Sequence, residues 1–234
     1  MRVAIMQPYF FPYIGYFQLI KSADIFVIYD NIKYTKKGWI NRNRILQNGV
    51  DTLISLPIKN GSDSLHVYER EVSADFDKKK FLNRIKGAYA RAPHFSSTYA
   101  LLEQIISYND VNLFDFLNNS VTKLCAYLEI DTKIVKSSSI KIDHNLRSQD
   151  KVLALCSAVG AKIYINAIGG MELYSKEVFT SNNIELKFIK SNSINYKQFD
   201  HEFCPWLSII DVMMFNDMEF IKASLINYEL IEGI

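Results

Sequence analysis

The loop Gln7-Pro8-Tyr9-Phe10-Phe11-Pro12-Tyr13-Ile14-Gly15-Tyr16 sets four aromatic rings, Tyr9, Phe10, Phe11 and Tyr13, around two prolines that fix φ and ahead of a glycine that admits a close neighbour. A helix beginning near Tyr13 turns its free N–H groups toward whatever lies above the preceding strand, a favourable place for a phosphate. The same rings could instead staple a second layer onto a sheet. A second cluster, Tyr34-Thr35-Lys36-Lys37-Gly38-Trp39-Ile40-Asn41-Arg42-Asn43-Arg44, carries four cations in eleven residues. On a strand through Trp39 to Arg44, Arg42 and Arg44 share a face, and two guanidinium forks side by side suit a diphosphate or a carboxylate, with Trp39 covering a base or sugar ring. The alternative is a solvated basic hairpin edge.

Weaker signals lie further along. Asn166, Gly169 and Gly170 form a strand-to-helix turn like the first, or a plain turn. Arg147 and Lys151 face an anion at the start of a helix, or water. Ser208 and Asp211 stand one helical turn apart, as a cap or as a polar pair lining a site. No Ser-His-Asp or Cys-His arrangement follows from spacing, and Cys204, His94 and His144 stay undecided.

Positioning these groups requires a scaffold. Val3 to Met6 and Ile25 to Ile28 are fully apolar, with a helix from Ile14 to Ser22 between them, which predicts a βαβ unit with strands buried on both faces. The first loop then sits at the carboxyl edge of a parallel sheet, where open α/β sheets bind ligands. Lys33-Tyr34, Trp39 to Leu46 and Thr52 to Pro57 predict antiparallel pairing with Asn48-Gly49 as a hairpin turn. Helical periodicity governs residues 75–128. A strand at Lys133 to Val135, a serine connector and a helix from Ser148 to Val159 ended by Gly160 follow. Lys162 to Ile165 and Ile184 to Phe188 are strands, and Leu207 to Phe215 and Phe220 to Ile226 helices. The expected fold is α/β: a mostly parallel sheet with helices on both faces, an antiparallel hairpin near the N-terminus and a helical insertion at 75–128 within one domain spanning 1–234.

The 234 residues include 27 Lys and Arg against 25 Asp and Glu, so there is no general electrostatic case for nucleic acid or an anionic membrane, and any anion site must come from local clustering. The opening strand is not a signal peptide and no run is apolar enough to span a bilayer, so membrane insertion is not expected. Three widely spaced cysteines fit a reducing cytoplasm, and four scattered histidines give no metal site.

The opening loop continued through Phe17-Gln18-Leu19, together with Tyr29-Asp30, Gly38 to Arg44 and Leu207-Ser208-Ile209-Ile210-Asp211, resembles the WbqC-like protein family over nearly the whole chain. That resemblance implies a role in O-antigen or other surface-polysaccharide assembly, in making or decorating an amino sugar. A looser likeness is to nucleotidylyltransferases of the HIGH type, with Tyr13 and Tyr16 where those enzymes have histidines.

The leading expectation is an enzyme that transfers an acyl or aminoacyl group to the amine of a nucleotide-linked amino sugar. The donor cofactor is unspecified beyond an acyl or aminoacyl class, and homo-oligomerisation is left open. Asp30, Asp211 and Tyr16 are the candidate catalytic groups. Gln7, Tyr9, Tyr13, Gly15, Lys37, Trp39, Asn41, Arg42, Arg44, Asn166 and Ser208 are the candidate binding groups. The rivals are a HIGH-like nucleotidyl-transferring or adenylate-forming enzyme and a non-catalytic binding subunit of a polysaccharide pathway.

Overall fold

The computed structural model describes residues 1–233. In chain order the elements are β1 (Arg2–Met6), α1 (Ile14–Lys21), β2 (Ile25–Ile28), β3 (Arg42–Gln47), β4 (Val50–Ser55), α2 (Lys78–Tyr89), α3 (Phe95–Ile106), α4 (Leu113–Tyr127) and β5 (Lys133–Lys136). They continue as α5 (Ser148–Ala158), β6 (Ile163–Ala167), α6 (Lys176–Ser181), β7 (Glu185–Ser191), α7 (Ile209–Phe215), α8 (Met218–Leu225) and β8 (Tyr228–Glu232). Six strands form one sheet in the order β5-β2-β1-β6-β7-β8, parallel except for β8, while β3 and β4 form a separate antiparallel pair.

The apolar strands are explained by two cores. Val3, Ile5, Val27, Tyr164, Leu186 and Phe188 face one core, which α5 and α6 close with Val152, Leu155 and Phe179. The alternate residues Ala4, Phe26, Ile28, Ile165 and Ile189 face the other, filled by α1, α8 and the helices between Lys78 and Tyr127. With both faces covered, polar alternation would bury unpaired groups, so the strands read as continuous apolar runs. Gly160 adopts φ +75° and ends α5, and Asn48 (φ +54°) and Gly49 (φ +78°) make the hairpin turn with Gln47 opposite Val50.

Three local expectations are corrected. The hairpin strand begins at Arg42, because Trp39 to Asn41 bend to meet the first loop, where the Phe10 amide donates to the Trp39 carbonyl at 3.1 Å. Lys33 forms only an isolated bridge to His66 rather than part of a strand. An additional strand, β8, pairs with β7, and its partly exposed residues with glutamates at Glu229 and Glu232 suit an edge position.

Candidate functional site

Beginning at β1, the chain fills the sheet outward to β2 and β5, then returns to the other side of β1 to lay down β6 and β7. The reversal falls between β1 and β6, and the loops leaving their carboxyl ends diverge, which opens a crevice there. A cleft of about 950 Å³ occupies that place, lined from β1 by Gln7 and Tyr9, from the end of β2 by Tyr29, Asn31 and Lys33, and from β6 by Asn166, Gly169 and Gly170. Ser64 and His66 form one rim, and His144 to Ser148 with Lys151 bring in the start of α5.

Its electrostatics are one-sided. Lys33, Arg147 and Lys151 line the cleft, and no Asp or Glu does. Among the described residues none of these three cations joins an ion pair. Lys151 is 7% exposed, its ammonium 3.3 Å from the Asn31 carbonyl and 5.2 Å from the centre of the Tyr29 ring. Burial pushes its pKa down, opposed in part by the charge of Asp30 behind it. Burial also raises the phenols of Tyr9, Tyr29 and Tyr174, so the aromatic lining offers neutral hydroxyls at neutral pH. His144 is held between the Asn31 amide (2.8 Å) and the Ile140 carbonyl (3.0 Å), which makes Nε2 the protonated nitrogen and Nδ1 the acceptor.

The aromatic loop divides between two tasks. Gln7 and Tyr9 line the cleft, whereas Phe10 and Phe11 are fully buried, with ring centres 5.7 and 6.3 Å from Phe81 of α2. Phe11 holds φ +44°, and its carbonyl accepts from the Ser208 hydroxyl at 2.6 Å. Ser208 also caps α7 by accepting from the Ile210 amide. Tyr16 is buried and donates to the Gln7 carbonyl at 2.9 Å, its phenol held well above its ordinary pKa by burial. Tyr13 lies across the start of α1 against Trp206; a Cβ on Gly15 would stand 2.1 Å from the Tyr13 hydroxyl.

The other sequence-derived candidates lie outside the cleft. The side-by-side guanidinium pair does not form: Arg42 donates to the carbonyls of Gly38 and Lys37, and Arg44 pairs with Asp51 at 2.8 Å beneath the partly exposed Trp39. Asn41 accepts from Tyr34 and donates to the Leu56 carbonyl. Asp30, 3% exposed, accepts from the hydroxyls of Ser137 and Ser138 and from the Ser138 amide, anchoring the connector after β5. Asp211 is fully buried and accepts from Tyr89 (2.8 Å), Tyr196 (2.7 Å) and Gln198 (2.6 Å). Of the sequence-derived candidates, the cleft therefore gathers Gln7, Tyr9, Asn166 with Gly169 and Gly170, and the helix-start pair Arg147 and Lys151. Lys33, Tyr29 and Asn31 were not among the candidate site residues, although Tyr29 belongs to a family motif and their position just after β2 places them on the same edge; Ser64 and His66 arrive only through tertiary packing.

A six-stranded, doubly wound α/β protein with a cationic cleft at its switch point is the class that fold and site define. The sequence model of the WbqC-like protein family matches residues 7–223, and the chain belongs to that family. It is similar to "Uncharacterized protein Rv1507c" of Mycobacterium tuberculosis (strain ATCC 25618 / H37Rv), at 28% identity over 215 residues that cover 91% of this chain and 92% of that one. No solved structure matches it. No helix among the described residues is long and apolar enough to cross a membrane.

Proposed function

We propose that the protein is a transferase that binds a nucleotide-linked amino sugar in the switch-point cleft and joins an acyl or aminoacyl group to the sugar amine, in O-antigen or related surface-polysaccharide assembly. The observation that carries this is the cleft wall: among the described residues, three cations without ion pairs, no carboxylate, and phenol rings, one of them under the Lys151 ammonium. Such a wall favours a ligand that combines anionic groups with a flat or hydroxylated ring system. In the reaction the amine nitrogen bonds to the acyl carbon, the donor's leaving group departs with its electron pair, and the nitrogen sheds a proton. Gln7 supplies an amide for a sugar hydroxyl, and Tyr9, Tyr29 and Tyr174 supply ring surface. Calorimetry with a panel of dTDP- and UDP-linked amino sugars tests this; saturable binding to at least one is expected, and a silent panel rejects it.

The HIGH-type alternative is disfavoured by Tyr13 and Tyr16, which stand where the two histidines would be. One lies against Trp206 and the other donates to the Gln7 carbonyl, and neither lines the cleft. Magnesium-dependent pyrophosphate release from ATP, CTP or dTTP would restore it. A binding-subunit reading is favoured by one observation, the exposure of Trp206 (66%) and Trp39 (40%) outside the cleft, and it predicts a stable complex on co-purification with a pathway enzyme.

A further inference from the structure

Two of the three cations lining the cleft, Arg147 and Lys151, lie at the start of α5. This eleven-residue helix begins at the carboxyl edge of the sheet, and Asn145 to Ser148 and Lys151 all line the cleft. Its first turn has no side-chain cap, and the amides of Ser148, Gln149 and Asp150 find no backbone or side-chain acceptor among the described residues. Arg147, the residue at the cap position, makes no hydrogen bond or ion pair through its guanidinium, and Lys151 follows one turn later.

Asn166, at the end of β6, supplies an independent observation. It is 5% exposed, and its Oδ1 accepts from the Ala167 amide at 2.9 Å, which fixes the amide so that Nδ2 is the group left over. Nδ2 has no acceptor among the described residues and stands where a Cβ on Gly170 would come within 2.5 Å, so the bare glycine leaves room for it. Nδ2 opens onto the cleft, where a ligand oxygen would take the place of water as its acceptor.

The geometry points to a phosphoryl subsite in this cleft, in which Arg147, Lys151, the Asn166 amide and the open first turn of α5 hold the oxygens of a diphosphate. This places the phosphates at α5 rather than at the first strand-to-helix turn or at the Arg42–Arg44 hairpin. It rests on the proposal that the cleft takes a nucleotide sugar, since the diphosphate is the part of that ligand it locates. Lys33 faces the same cleft and adds field without being required for contact.

The probe is inorganic pyrophosphate, titrated calorimetrically into the full-length protein at constant ionic strength. Arg147→Gln, at an exposed side chain with no hydrogen bond or ion pair among the described residues, keeps the fold, and Asn166→Asp keeps the size while setting an anion against the ligand. Each of these, and Lys151→Met, is expected to weaken pyrophosphate binding by about tenfold or more. Lys79→Gln, which removes an exposed cation on α2 away from the cleft, leaves it unchanged. No binding to the wild type overturns the subsite, as does affinity unaltered in both Arg147→Gln and Asn166→Asp. Pyrophosphate bound through these residues with every nucleotide sugar silent keeps the subsite and rejects the transferase proposal. Nucleotide sugars bound with affinity indifferent to both variants do the reverse.

Discussion

Asp211 shows what a buried carboxylate does here. Its oxygens accept from Tyr89, Tyr196 and Gln198, and Tyr89 in turn accepts from the Leu46 amide, so one carboxyl joins α7, the end of α2, strand β3 and the segment near residue 198. Replacement by Ala strands three buried donors and is expected to cost about 3 kcal/mol or more in urea unfolding at neutral pH. Burial holds the Asp211 carboxyl above its ordinary value of 3.8 despite those three donors. The folded state therefore binds this proton more tightly than the unfolded chain. Its contribution to stability is greatest below about 3.8 and falls as pH rises through the folded-state pKa. In Asp211→Asn that segment of the stability–pH curve should flatten; a wild-type slope retained in the variant would assign it to another group. Asp30 has another structural role: the Ser137 and Ser138 hydroxyls and the Ser138 amide donate to it and so tie the end of β2 to the connector after β5.

At the scale of elements, the opening loop is both hinge pin and cleft wall. Phe10 and Phe11 sit against Phe81, with the loop carbonyls held by Asn43 (3.1 Å) and Ser208 (2.6 Å), so the hairpin, α2 and α7 converge on it. Phe10→Ala is expected to cost about 3–5 kcal/mol of stability. Tyr9→Phe, which keeps the ring packing and removes only the cleft-facing hydroxyl, should instead weaken ligand binding with little change in melting temperature, and the two effects separate by pairing thermal melts with calorimetry. Gly170→Ala tests the second turn: the added methyl meets the Asn166 amide, so pyrophosphate affinity should fall as in Asn166→Asp while the protein stays folded. The same loop was legible in sequence as an oddity of aromatics and prolines, but its division was not. Which ring turns inward depends on the φ +44° at Phe11 and on helices distant in sequence.

For the whole molecule, three ligand-facing cations predict that raising NaCl from about 50 to about 500 mM weakens pyrophosphate and nucleotide-sugar binding severalfold, whereas a purely aromatic site would hold or gain affinity. The central parallel strands, the hairpin turn and most helices could be read from the chain because local periodicity records which faces are buried, and the family-defining motifs are themselves local. Strand β8 could not, since Tyr228 to Glu232 is only five residues long, directly follows a helix and gains its register only from β7. Gln7, Tyr9 and Asn166 were visible as strand-end residues. Arg147 and Lys151 were visible only as a helix-start pair with no assigned neighbour, and Lys33 not at all. What brought them together is the lateral order of strands, with β6 laid beside β1 and β2 on the other side, so that three chain-distant loops meet at one edge. That order follows from crossover packing and the covering of both sheet faces, which leaves no signature within any single segment. The same packing turned Arg42 and Arg44, a plausible anion pair in the sequence, onto their own hairpin.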